Sequence, residues 1–94
     1  MNIGGAIKDL RLRRLLTQQQ IAEKAMLTQG YYSSIENNNN KPTLEVINKI
    51  ADALGVPIII IHWLALEKSD IKKHRTSFYE KLQPVIDHLI QEIL

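Results

Sequence analysis

Apolar residues recur at three- and four-residue spacing along most of this chain, and no stretch alternates apolar and polar with period two. Ile3, Ile7, Leu10, Leu12 and Leu15 or Leu16 predict a first helix over about residues 3–15. Thr17 followed by Gln20 is the pattern of a capping box, so a second helix starts at Thr17 or Gln18, with Ile21, Ala22 and Ala25 inward. Thr28 is a further N-cap for a short third helix, about residues 29–36, whose inward residues are Tyr32 and Ile35. Four consecutive asparagines, Asn37 to Asn40, follow. Pro42 and Thr43 then restart a helix with the stripe Leu44, Ile47, Ile50, Ala51 and Leu54, and Gly55 ends it. Pro57 suits the first turn of a fifth helix, residues 57 to about 66. The run "IIII" inside it could be a strand by itself, but it has no partner strand and reads as helical. Residues 67–94 continue in helical spacing, with Pro84 as a kink or as the first turn of a last helix.

Composition narrows the class. With 94 residues and 45% hydrophobic content, the chain suits one small globular domain, and a core that thin is helped by oligomerisation. There is no cysteine, which removes disulfides and thiolate metal sites and suits a reducing cytoplasm. The apolar run Leu54–Leu66 is interrupted by Pro57 and His62 and is shorter than the roughly 20 residues of a membrane span. No secretory signal pattern opens the chain. A cytoplasmic protein is expected. The net charge of +2 decides little by itself. Its basic residues gather at two places: Lys8, Arg11, Arg13 and Arg14 early, and Lys68, Lys72, Lys73 and Arg75 late.

Two short helices joined by a tight turn, the second capped at Thr28, make a helix-turn-helix. Here the stretch Leu16–Val56, "LTQQQIAEKAMLTQGYYSSIENNNNKPTLEVINKIADALGV", resembles the phage-repressor/Cro-like (XRE-type) helix-turn-helix DNA-binding family. With the first and fifth helices the resemblance covers about residues 3–66. It implies an all-α fold: a five-helix lambda-repressor-like DNA-binding bundle over residues 1–66, here with a C-terminal helical extension over 67–94. It also implies that the third helix enters the major groove of double-stranded DNA and that the following loop lies along the DNA backbone.

The residues agree with that implication. Gln18 and the Thr28–Gln29 pair stand at helix N-termini, where free N–H groups suit phosphates. Gln29 is a residue type that can pair with adenine through two hydrogen bonds. Gly30, Ser33 and Ser34 keep the outward face small, and Tyr31 faces outward as well. Asn38, Asn39, Asn40 and Lys41 suit a helix C-cap and phosphate contacts, although a plain polar turn is the alternative. In the family, the positions of Arg11 and Glu36 carry an ion pair beneath the DNA-binding face, and the same pair is expected here. At the position of Met26 the family commonly has glycine. Met26 is therefore expected at positive φ, under strain.

No catalytic constellation, glycine-rich phosphate loop or cofactor motif is visible, so neither an enzyme nor a cofactor is expected. His62, His74 and His88 lack metal-ligand spacing. The expected function is that of a transcriptional regulator, a repressor occupying a two-fold-symmetric operator as a homodimer. Two alternatives stay open: the antitoxin of a toxin pair or a restriction-modification controller, and a protein-interaction module that does not bind DNA. For the dimer, Ile58, Ile61 and Leu64 or Ala65 are expected in the bundle core. Ile59, Ile60, Trp63 and Leu66 are then expected outside, to be covered by Phe78, Leu82, Val85, Ile86, Leu89, Ile90 and Ile93 of the tail. The tail can fold back within one chain or pack across a two-fold axis, and the second is the expectation.

Overall fold

The computed structural model describes residues 1–71 and 76–94. Among the described residues there are six α-helices, α1 (Ile3–Arg13), α2 (Gln18–Lys24), α3 (Gln29–Glu36), α4 (Leu44–Leu54), α5 (Ile58–Ala65) and α6 (Thr76–Ile93), with a 3-10 turn at Lys68–Asp70. Lys72, Lys73, His74 and Arg75 lie outside the described residues, as do the side chains of Lys68 and Phe78, so the late basic cluster and the place expected for Phe78 do too.

The helix starts follow the expected caps. Thr17 accepts from the N–H of Gln20 while the Gln20 side chain accepts from the N–H of Thr17, a complete capping box. Thr28 and Thr43 cap α3 and α4 through their hydroxyls alone, which accept from the N–H groups of Tyr31 and Val46. The helix ends share one device. α1, α2, α3 and α4 each close with a residue in the left-handed region: Leu15, Met26, Asn38 and Gly55, at φ 57°, 57°, 59° and 70°. Around each, two backbone bonds recover orphan carbonyls, for example Met26 N–H to Glu23 O and Leu27 N–H to Ala22 O. This is the Schellman arrangement. Met26 thus takes the positive φ expected of it.

Ile7, Leu10, Ile21, Ala22, Tyr32, Ile35, Ile50, Ala51, Leu54 and Ile61 fill the core between the helices. Three expectations about burial are corrected. α1 ends at Arg13 because Leu15 turns left-handed, and Leu12 and Leu15 face solvent. Leu44, the first residue of α4, is exposed, and the buried stripe of that helix begins one turn later at Ile47. Ile60, expected on the outside of α5, is buried with Ile61 and Ala65.

The tail also departs from expectation. α6 folds back on the bundle of its own chain: Tyr79 stacks on Trp63 of α5, ring centroids 4.8 Å apart at 18°, and Ile90 is buried in the common core. Ile60, Ile90 and much of Trp63 are therefore covered within one chain, not offered to a second. Val85, Leu89 and Ile93 repeat every fourth residue along the flank of the buried face of α6 and remain exposed, as does Ile59. α6 runs through Pro84, which has no N–H for the carbonyl one turn earlier. Among the described residues, no helix is long and apolar enough to cross a membrane.

Candidate nucleic-acid interface

Beside the core residues Tyr32 and Ile35, a buried ion pair holds the end of α3. Arg11 reaches Glu36 side-on: Nε donates to Oε2 at 2.7 Å and Nη2 to Oε1 at 3.1 Å. Both residues are buried, at 8% and 5% exposure. The third arm of the guanidinium, Nη1, donates to the carbonyl of Leu16 at 2.9 Å, which fixes the entry to α2. Gln18 Nε2 donates to Glu36 Oε1 at 3.2 Å. One carboxylate therefore gathers the end of α3, the last turn of α1 and the start of α2. Burial alone would raise the pKa of Glu36. Hydrogen bonds from Arg11 and Gln18, the nearby Tyr32 hydroxyl and the Arg11 charge outweigh it and hold the carboxyl below its ordinary value. The Tyr32 phenol is pushed up, first by burial and then by the neighbouring carboxylate. Its hydroxyl is fully enclosed and has no partner within ordinary hydrogen-bond geometry, yet it stands close enough to Glu36 to perturb it.

Above this anchor lies the outward face of α3. Gln29 and Gly30 are exposed and Ser33 is half-exposed. A Cβ added at Gly30 would meet nothing within 4 Å, so this face is open to close approach. Thr28 Oγ1 accepts from Tyr31 N–H, which leaves the N–H groups of Gln29 and Gly30 without an intrahelical partner. Among the described residues, the side chains of Gln29, Ser33, Asn39 and Lys41 make no hydrogen bond within the protein. Exposed and free, they have the chemistry to donate to and accept from an external partner.

Other residues expected at the interface are used inside the protein. Gln18 serves Glu36, and the Thr28 hydroxyl serves the α3 cap. Ser34 Oγ donates to the carbonyl of Tyr31 and accepts from Asn40 Nδ2, both at 2.6 Å. Tyr31 is half-buried against the core and not fully outward. Asn38 bonds to Gly4 and Asn2 at the start of α1. The exposed set is therefore narrower than the expected one: Gln29, Gly30, Ser33, Asn39 and Lys41, with Asn40 held by Ser34. Arg14, which the sequence reading left without a role, donates to the carbonyls of Leu54 and Gly55 and so caps the end of α4. A cation beside the C-terminus of a helix is favoured by its dipole, but the helix is not a neighbour in sequence.

The helix-turn-helix family profile matches residues 7–61. The chain belongs to the helix-turn-helix family. Relatives agree over nearly its whole length. It is 34% identical over 93 residues to the immunity repressor protein of Bacillus phage phi105, covering 99% of this chain and 62% of that one. It is 29% identical over 93 residues to the transcriptional regulator SinR of Bacillus subtilis, covering 98% and 77%. Among solved structures, a restriction-modification controller protein superposes with a TM-score of 0.63 at 28% identity, covering 67% of this chain and 83% of that one. The chain spans somewhat less than two thirds of the length of the phage repressor. The matched residues include most of α1 and all of α2 and α3, the helices that the Arg11–Glu36–Gln18 cluster ties together.

Proposed function

We propose that this protein is a sequence-specific double-stranded DNA-binding transcriptional regulator of the cytoplasm, acting as a repressor. The observation that carries the reading is the pairing of a rigidly anchored α3 with an outward face of small, uncharged polar groups. The anchor is the buried Arg11–Glu36 bridge. The face offers Gln29 for base edges, while Lys41 and the loop amides serve phosphates. Residues 28–35 contain no acid that would repel the DNA backbone. The likeness to a phage immunity repressor supports repression, and the likeness to a restriction-modification controller supports a second reading in which the same DNA chemistry governs a restriction system.

The protein acts as a homodimer on a two-fold-related site in this proposal. Support comes from the exposed stripe Val85, Leu89 and Ile93 together with Ile59, which a second copy would cover. Leu66, Leu82 and Ile86, also expected at the dimer interface, are half-buried. The test is selection of bound duplexes from a random pool, followed by titration of the selected duplex. A two-fold-symmetric consensus is expected. Gln29→Ala should lose about 1–3 kcal/mol of discrimination at one base position. Lys41→Ala should weaken all sequences alike and lower the salt slope by about one per bound subunit. Equal losses on selected and random duplexes for both variants would remove Gln29 from base reading.

A further inference from the structure

The start of α1 sits directly on the end of α3. A Cβ at Gly4 would collide with the carbonyl oxygens of Ile35 and Glu36 and crowd Asn38 Oδ1, so only glycine permits this approach. The contact brings the N-terminus of one helix against the C-terminus of another, with complementary dipole ends. Asn38 closes it. Its Oδ1 accepts from the N–H of Gly4 at 3.0 Å, and its Nδ2 donates to Asn2 Oδ1 at 2.8 Å. That same Asn2 oxygen caps α1 by accepting from Gly5 N–H at 2.8 Å. The backbone N–H of Asn2 donates to the carbonyl of Ala65, at the end of α5, at 2.7 Å.

Asn38 also occupies the left-handed position that closes α3, at φ 59°, where glycine is the least strained residue. Glycine there would satisfy the backbone equally well. What asparagine adds is the side chain that reaches α1. Within the polar run, Asn38 thus directs its side chain to α1 and Asn40 to Ser34, beside Asn39, which faces out.

We propose that Asn38, together with Asn2, is a positioning device for DNA recognition. It fixes the end of α3 and the loop of residues 39–41 against α1, so that the base-reading helix and the phosphate-facing loop are presented as one rigid unit. Through the Asn2–Ala65 bond the same latch fixes the end of α5, from which the C-terminal extension departs. The proposal rests on the reading of α3 as the DNA-facing helix.

The test compares Asn38→Gly, Asn2→Ala and Asn2→Asp with the parent, using a duplex selected by the parent protein and a random-sequence duplex. Asn38→Gly keeps the backbone conformation and removes only the latch. It should melt within a few degrees of the parent yet bind the selected duplex roughly 3- to 10-fold more weakly, the scale of one or two lost hydrogen bonds. The random duplex should lose less, so discrimination falls. Asn2→Ala should behave alike, and Asn2→Asp should restore binding, because a carboxylate can accept from both Gly5 and Asn38 and suits a helix N-terminus. Parental affinity in Asn38→Gly, or no recovery in Asn2→Asp over Asn2→Ala, overturns the latch. If Asn38→Gly does not fold, the Asn2 pair decides alone. Gln29→Ala separates the two levels. If it keeps full discrimination, the reading of α3 falls and the latch with it; if it loses discrimination while the latch variants do not, only the latch is wrong.

Discussion

Leu15 and Met26 occupy left-handed positions that strongly favour glycine, and they are 90% and 80% exposed. Replacing each by glycine sets three terms against one another. Relief of the left-handed backbone favours the variant by about 1–2 kcal/mol. The greater freedom of glycine in the unfolded chain opposes it by roughly 0.5–1 kcal/mol. Lost packing opposes it too. Full burial of such a side chain stabilises by about 1.5–3 kcal/mol, and here only a tenth of Leu15 and a fifth of Met26 is covered, which is about 0.2 and 0.5 kcal/mol. The central values leave a gain of about 0.5 kcal/mol for Leu15→Gly and about 0.3 kcal/mol for Met26→Gly. The two residues close different helices, so the gains should add to about 0.8 kcal/mol, a rise in Tm of roughly 3–6 °C for a domain of this size.

Thermal and urea unfolding followed by circular dichroism would measure this, with Leu15→Ala and Met26→Ala as controls. Alanine makes the same loss of packing but keeps the Cβ that crowds the left-handed backbone. The glycine-minus-alanine difference therefore isolates the backbone, and about 0.5–1 kcal/mol in favour of glycine is expected at each site. If Leu15→Gly is no more stable than Leu15→Ala, the strain argument is wrong.

Three further outcomes are expected. Arg11→Met or Glu36→Leu alone should cost about 3–5 kcal/mol by stranding a buried charge, whereas the double variant should cost less than either, and additive losses in denaturant titrations would count against a coupled pair. Because the carboxyl of Glu36 is held below its ordinary 4.5 in the folded state, its stabilisation is present above that value and is lost as pH falls through the lower folded one. Melting should therefore decline more steeply below pH 4.5 in the parent than in Glu36→Gln, and parallel curves would refute this. Val85→Lys/Leu89→Glu, two charges on the exposed stripe of α6, should sediment as a folded monomer while the parent sediments as the proposed dimer; a variant that sediments as the parent does would remove the stripe from the interface.

Legibility from sequence followed the range of the interactions involved. The caps at Thr17, Thr28 and Thr43 are local, since each hydroxyl meets an N–H three residues on, and the capping box of Thr17 and Gln20 could be read directly. The Arg11–Glu36 bridge is 25 residues long in sequence and came only from likeness to a family. α5 resisted reading for another reason. Four consecutive isoleucines carry no period, so nothing in them distinguishes Ile60, which the fold buries, from Ile59, which it exposes. That choice is made by packing against α1, which is remote in sequence. The asparagine run shows the same limit at single-residue resolution. Composition marks all four as turn residues with free amides. Only the approach of Gly4, 34 residues away, makes Asn38 a brace, and only Ser34, at the outer edge of α3, makes Asn40 a second one. Four identical side chains thus divide into inward and outward roles by what the fold brings beside them. Substitutions across the run should accordingly differ in kind: at Asn38 they alter the geometry of recognition, and at Asn39 they alter contact with the partner itself.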